Sequence, residues 1–472
     1  MKKTKIIATV WPATESEENL VKMYNAGVNI VRFNFSHATF DGARPIADRI
    51  KKLNSEGKTN LSLLLDTKGP EIRTGIVENK INLVAGNTVK IVVDASKRWV
   101  EDIYCDYEYL LEDIKVGETI IIDSGLCNVK VLEIHGDYLI GEVLNSCVIG
   151  SKRHINLPWV RLKLPGITDK DKEDVLFAIE NNYDFIAMSF VRNKENIAEL
   201  RELLAENNAS HIKIISKVEN QEAIENLEEI VMHSDGVMVA RGDLGIEVPI
   251  EKLPFYQKEI ANLCLKNGKF FIIATHLLET MIENPFPTRA EVSDIYNSVI
   301  ASADCTMLSG ETTTGKYPIE AITMMSKVII ETEKSIQNPH NNFCNEGLNS
   351  RDIEKKALIR HSISIAEELD AKAIIILTKT GLLARLAAAF RPNIDVYAFT
   401  KNDTSVNYMN ILYAIKPLLL PNWTNDYLSN VENAIATLKS KGLLSSQDKI
   451  IAVTDIQKDG NEFPIIEIIE VK

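Results

Sequence analysis

Residues 212–243 read IKIISKVENQEAIENLEEIVMHSDGVMVARGD. Two apolar runs, Ile212–Lys217 and Gly236–Arg241, flank a stretch of helical period. Runs this short and this continuously hydrophobic are expected of strands buried on both faces of a parallel sheet. Each closes on charge, as Lys217-Val218-Glu219-Asn220 and as Arg241-Gly242-Asp243. The segment reads as one βα unit and the start of the next.

The same unit recurs on either side. Further runs lie at Lys5–Val10, Ile30–Phe35, Leu61–Asp66, Phe185–Phe190, Phe270–Thr275 and Cys305–Gly310, with helical stretches such as Asn196–Glu206 and Ile319–Glu331 between runs. The eight runs start at 5, 30, 61, 185, 212, 236, 270 and 305. Every step but one suits a single βα unit. Eight units predict an α/β fold, a (β/α)8 TIM barrel rather than an open sheet. The long third step predicts a domain inserted over residues 70–165. Its runs Val89–Asp94, Thr119–Asp123, Asn128–Ile134 and Tyr138–Val143, with glycine turns, predict a small β-barrel. Polar Gln337–Arg351 reads as a linker. Helix Ile353–Leu369, strand Ala373–Thr378, helix Leu382–Phe390 and strands Val396–Thr400, Lys449–Val453 and Ile465–Glu470 then predict a C-terminal α/β open-sheet domain. The expected division is 1–69 with 166–335, then 70–165, then 350–472.

Bulk properties narrow the function. At 45% hydrophobic and 25% charged, the chain has the composition of a protein with a packed core. Its net charge of −13 offers no electrostatic footprint for nucleic acid or an anionic membrane. Anionic substrates would need a local cationic pocket or a metal. No apolar run approaches the length of a membrane span, and the one near the N-terminus breaks at Trp11-Pro12. Six scattered cysteines without a CxxC pair suggest reduced thiols and a cytoplasmic protein.

Active sites of such barrels sit at the C-terminal strand ends. Here those ends read Arg32-Phe33-Asn34-Phe35-Ser36-His37, Asp66-Thr67-Lys68-Gly69-Pro70-Glu71-Ile72-Arg73, Lys217-Val218-Glu219, Arg241-Gly242-Asp243, Thr275-His276 and Ser309-Gly310-Glu311. Cations suit phosphate and carboxylate groups, and paired acids suit a hard divalent ion that takes oxygen ligands. Polar residues also end strands simply because loops begin there. A ring of mixed charges on six strands is better explained by a site.

These strings resemble the pyruvate kinase family along essentially the whole chain: RFNFSH (32–37), DTKGPEIRTG (66–75), IISKVEN (214–220), MVARGDLGIE (238–247), NPFPTRAEVSD (284–294) and MLSGET (307–312). The resemblance implies phosphoryl transfer from phosphoenolpyruvate to ADP, giving pyruvate and ATP in the last step of glycolysis. It implies Mg²⁺ (or Mn²⁺) at Glu219 and Asp243, and K⁺ at Asn34, Ser36, Asp66 and Thr67. Glu71 stands where the family places Glu in K⁺-dependent members. Lys217 is expected to stabilise the phosphoryl group in flight, with Arg32 and Arg73 as phosphate contacts. Gly242 and Asp243 are expected to hold the substrate carboxylate through backbone N–H groups, and Thr275 to lie beside the enolate. Ser309 and Glu311 fit proton delivery. Arg32, Asn34, Pro12, His37, Arg73 and Arg153 are expected on the nucleotide side. Family members are usually homotetramers.

The chain departs from the family in places. In SKRHINLP (151–158), Arg153 and His154 replace a Lys and a Gly, and Ser124 stands where a second Asp is common. His276 stands where Gln or Asn is common. Thr378-Lys379-Thr380-Gly381 starts like the family's phosphate loop, but Leu382-Leu383-Ala384 lack its cations and hydroxyls, and Asp455–Phe463 lacks a Gly-rich loop. Both points argue against a phosphosugar activator of the usual kind. Three other readings stand beside this one. Gly310–Lys316 nearly fits a P-loop but is followed by Tyr317 rather than Ser or Thr. The others are a metal-dependent barrel aldolase and a catalytically weak binding protein.

Overall fold

A computed structural model of the chain describes residues 2–99, 102–336, 342–458 and 461–472. Strands β1 (Lys5–Thr9), β2 (Ile30–Asn34) and β3 (Ser62–Asp66) are parallel neighbours. The chain then leaves for nine short strands: β4 (Ile72–Arg73), β5 (Ile81–Leu83), β6 (Thr88–Val92), β7 (Ile103–Tyr104), β8 (Thr119–Ile122), β9 (Cys127–Ile134), β10 (Tyr138–Val143), β11 (Cys147–Ile149) and β12 (His154–Asn156). It returns through β13 (Phe185–Met188), β14 (Lys213–Val218), β15 (Gly236–Ala240), β16 (Phe270–Ala274) and β17 (Cys305–Leu308). Strands β1–β3 and β13–β17 close into one parallel barrel in the order β1-β17-β16-β15-β14-β13-β3-β2. This is the TIM barrel expected from the repeat of apolar runs. Residues such as Ile7, Leu64, Ala187, Ile215, Met238 and Ile272 are wholly buried.

The nine inserted strands form a seven-stranded sheet, β4-β12-β8-β9-β10-β6-β7, and a two-stranded ribbon of β11 and β5. A bridge between Thr74, just after β4, and Cys105, just after β7, joins the two ends of the larger sheet. That contact curls it into a small barrel around Ile91, Ile120, Ile122, Val129 and Leu139. One sequence expectation fails here. Cys127 and Cys147, read as reduced thiols, are joined as a disulfide between β9 and β11, with Cα atoms 5.7 Å apart. The β11–β5 ribbon packs against β9 of the larger sheet and brings the two together although their sequence separation is 20.

The remaining strands, β18 (Ala373–Leu377), β19 (Val396–Thr400), β20 (Ile415–Leu419), β21 (Lys449–Lys458) and β22 (Asn461–Glu470), form an open sheet ordered β20-β19-β18-β21-β22. The linker expected over 337–351 lies partly outside the described residues, at 337–341, and its end is already helical, because helix Ser350–Glu368 starts at an Asn349 cap. A buried pair ties this sheet to the barrel. Arg391 donates to both carboxylate oxygens of Asp304 at 2.9 and 2.6 Å, and Asp304 also accepts the N–H groups of Phe271 and Tyr413.

Lys316 lies in a loop between helices Gly310–Thr313 and Pro318–Ser335. A P-loop lysine opens a helix instead, so that alternative falls. Among the described residues, no helix is long and apolar enough to cross a membrane.

Candidate active site

Alternation along a strand puts residues two apart on one face. Lys217 and Glu219 therefore project together from the end of β14. Lys217 Nζ lies 2.9 Å from Glu219 Oε1 and 3.0 Å from Asp66 Oδ1 at the end of β3. Arg32, on neighbouring β2, donates from Nε to Asp66 Oδ2 at 2.6 Å and from NH1 to Thr9 Oγ1 at 2.8 Å. Among the described residues its NH2 makes no hydrogen bond. Two cations and two carboxylates thus meet inside the barrel mouth, nearly free of water.

Burial and charge oppose each other in this cluster. Burial pushes Asp66 up, but Lys217 and Arg32 outweigh it and hold the carboxyl below its ordinary value. Burial lowers Lys217, but Asp66 and Glu219 win and keep it firmly an ammonium. Glu219 goes the other way. Burial, helped by the nearby Asp243 carboxylate, pushes it up to about 7 despite Lys217. Its Oε2 accepts the Phe190 N–H at 2.7 Å, while its buried Oε1 is paired with Lys217 Nζ at 2.9 Å. A buried carboxyl that one shared lysine leaves raised, with a second carboxylate nearby, is what a divalent ion would satisfy. Among the described residues no three His, Cys, Asp or Glu side chains form a metal cage. The Glu219 carboxylate and the nearby charge of Asp243 offer hard oxygen donors, the chemistry that an ion such as Mg²⁺ takes.

Ser189, which the sequence reading did not single out, is part of the cluster. Its hydroxyl receives a hydrogen bond from Lys217 Nζ at 2.8 Å and donates to the Thr67 carbonyl at 2.6 Å. It follows β13 directly, and an uncharged hydroxyl after an apolar run gave little signal. Gly69 passes so close that a Cβ there would lie 2.8 Å from Ser189 Cβ, and its φ of +73° also favours glycine.

Helix Arg241–Glu247 follows β15. The Gly242 N–H, expected to face a substrate carboxylate, donates instead to Thr275 Oγ1 at 2.9 Å. Two expected substrate contacts are thereby brought together, each engaging the other. Thr275 and His276 have φ of 69° and 55°, unusual for non-glycine residues and held by Arg241, which donates to the Thr275 carbonyl and to Asp294. At β17, the Ser309 N–H donates to Glu311 Oε2, and the buried Ser309 hydroxyl has no hydrogen-bond partner among the described residues. Burial pushes the Glu311 carboxyl up.

The other expected residues surround this centre. Asn34 faces Asp66 across the β2–β3 register, and its Oδ1 accepts the Ser36 N–H. Thr67 Oγ1 accepts the Ser189 N–H. Glu71 holds Arg73 through Nε at 2.8 Å and NH2 at 2.6 Å, so the Arg73 fork is already engaged. Pro12, His37 and Arg153 are exposed at the rim, and Arg153 lies 3.5 Å from Asp123. His154 packs edge-on against Phe190, and burial lowers its pKa.

Comparison with known proteins agrees with this architecture. Residues 1–322 match the family model for the pyruvate kinase barrel domain, and residues 356–464 the model for the pyruvate kinase alpha/beta domain. A pyruvate kinase of Bacillus licheniformis is 40% identical over 419 residues, spanning 88% of this chain and 71% of that protein. One from Staphylococcus aureus (strain MRSA252) is 39% identical over 463 residues, 97% of this chain and 78% of that protein. The crystal structure of a pyruvate kinase from Cryptosporidium parvum superposes with a TM-score of 0.92 at 36% identity, covering 100% of this chain and 96% of that one. Fold, strand-end chemistry and relatives converge, and the chain belongs to the pyruvate kinase family.

Proposed function

We propose that the chain transfers the phosphoryl group of phosphoenolpyruvate to ADP, with Mg²⁺ or Mn²⁺ and K⁺ as cofactors. The observation that carries the reading is the Arg32–Asp66–Lys217–Glu219 cluster at the barrel mouth. The P–O bond to the enol oxygen breaks while an oxygen of the ADP β-phosphate bonds to phosphorus. Such a transfer needs positioning and charge neutralisation rather than protein nucleophiles. Lys217 supplies a fixed ammonium, and Arg32 offers its unengaged NH2. Arg73 reaches phosphate when Glu71 releases it. Glu219 and Asp243 would hold the divalent ion, which supplies further neutralisation of the phosphoryl oxygens. The backbone N–H groups of Gly242 and Asp243 receive the substrate carboxylate once the Gly242 N–H leaves Thr275 Oγ1, and the Thr275 hydroxyl lies beside the enolate. Ser309 and Glu311 serve the protonation of the enol carbon, which completes pyruvate.

Asn34, Ser36, Asp66 and Thr67 offer oxygen ligands of low total charge for K⁺. The inserted barrel brings Arg153 over the nucleotide, with Pro12 and His37 on the same rim. The units are taken as 1–69 with 166–335, 70–165 and 350–472, in a cytoplasmic homotetramer. The test is pyruvate formation with K⁺ present or replaced by Na⁺. Turnover that collapses in Na⁺ supports the cation set, and equal turnover in both ions contradicts it.

A further inference from the structure

Arg192 of the parallel barrel ties down the segment by which the chain returns from the inserted unit, donating to the carbonyls of Leu162 at 2.7 Å, Leu164 and Pro165 at 3.1 Å, and Arg161 lies 3.6 Å from Glu225. Among the described residues, one hydrogen bond crosses from the inserted strands β4–β12 to the barrel. Asn156 Nδ2 donates to Glu247 Oε1 at 2.6 Å. Asn156 is 3% exposed, and among the described residues its Oδ1 has no partner, so this bond is its side chain's one hydrogen bond there. Burial pushes the Glu247 carboxyl up to about 7, and Asn156 opposes that shift.

The two residues sit on the two elements that matter most. Asn156 ends β12, the strand that carries His154 and immediately follows Arg153. That strand pairs with β4, which holds Arg73, and with β8. Glu247 ends the seven-residue helix whose first turn carries Gly242 and Asp243. A cavity of about 130 Å³ lies beside the bond and is bounded also by Leu157, Gln221 and Glu222. Arg192 holds the returning segment but, among the described residues, makes no hydrogen bond to β12, and packing beside β12 is incomplete, so the Asn156–Glu247 bond is what registers that strand to the barrel.

We propose that Asn156 and Glu247 are positioning residues, a latch that sets the inserted barrel over the nucleotide and registers it to the helix carrying Gly242 and Asp243. The inference rests on the reaction proposed above. Neither residue touches reacting atoms. Their loss should weaken ADP binding through the misplaced strand β12, and leave phosphoenolpyruvate, held by the parallel barrel, little affected.

The test uses N156A, E247L and E247Q in the full chain. Each substrate is varied at saturating levels of the other. Breaking a hydrogen bond to a carboxylate should raise KM for ADP about tenfold or more in N156A and E247L. KM for phosphoenolpyruvate should stay within about twofold. E247Q keeps a carbonyl acceptor and recovers most of the ADP affinity. The double variant N156A/E247L should be no worse than either single variant, because both remove the same contact. Parallel shifts in both KM values, unchanged KM for ADP, or E247Q as damaging as E247L would each overturn the latch. Amide exchange over 154–157 gives a readout independent of turnover. It should rise about tenfold in N156A, and unchanged exchange also overturns the proposal. If E247L does not fold, N156A carries the test from the other side of the bond. If the wild-type chain does not convert phosphoenolpyruvate and ADP, the proposed reaction fails and exchange alone decides the latch.

Discussion

Lys217, near the end of β14, and Glu219, just beyond it, stand two residues apart with ammonium and carboxylate 2.9 Å from each other inside the barrel mouth. Glu219 nonetheless has its pKa pushed up to about 7. One lysine shared with Asp66 does not fully compensate a buried acid that also faces Asp243. The pair is thus poised for a further positive charge.

K217M removes the shared cation, leaving Asp66 with Arg32 alone and Glu219 with no cationic partner among the described residues. The loss of phosphoryl stabilisation should lower kcat roughly 10²–10³-fold. Steady-state kinetics on protein with an unchanged circular dichroism spectrum check it. A change confined to KM would assign Lys217 to ground-state binding only.

The raised carboxyls predict a pH dependence of stability. Asp184, Glu219 and Glu247 are each pushed up to about 7, all chiefly by burial. A carboxyl raised in the folded state binds its proton more tightly there than in the unfolded chain. Its stabilising contribution is complete below the unfolded value near 4 and is lost as pH rises through about 7. Metal-free Tm should therefore fall between pH 5 and 8. Mg²⁺ should raise Tm more at pH 8 than at pH 5.5, because a proton on Glu219 competes with the ion. E219Q should flatten the first slope and remove most of the second effect, as thermal melts would show.

R391M leaves Asp304 buried with its bidentate partner gone. Such losses cost about 3–5 kcal/mol. Denaturant unfolding should register this, with the transition of the C-terminal sheet separating from that of the barrel.

Cys127 and Cys147 form a disulfide, whereas Cys105, Cys264, Cys305 and Cys344 are free. Alkylation of the unfolded protein without reductant should label four cysteines and, after reduction, six. Labelling of all six without reductant would contradict the bond.

The barrel was legible because strands buried on both faces leave continuous apolar runs, and because site chemistry concentrates charge where those runs stop. Arg32, Asp66, Lys217 and Glu219 were found this way. Ser189 was not, since its role depends on Lys217 and Thr67 lying across from it. Strand β20 was missed because Pro417 sits inside it, which suits only an edge strand, and β20 is the edge of its sheet. The Cys127–Cys147 bond follows from lateral strand packing, on which cysteine spacing is silent. The mutual engagement of Gly242 and Thr275 likewise joins the helix after β15 to the end of β16, residues far apart in sequence.

The most direct test of the account is the rate of pyruvate formation from phosphoenolpyruvate and ADP with Mg²⁺ and K⁺, in the wild-type chain and in E219Q. The account predicts robust wild-type turnover and a loss of at least about a hundredfold in E219Q that excess Mg²⁺ does not restore. No turnover by folded wild-type protein, or an E219Q variant as fast as wild type, would contradict it.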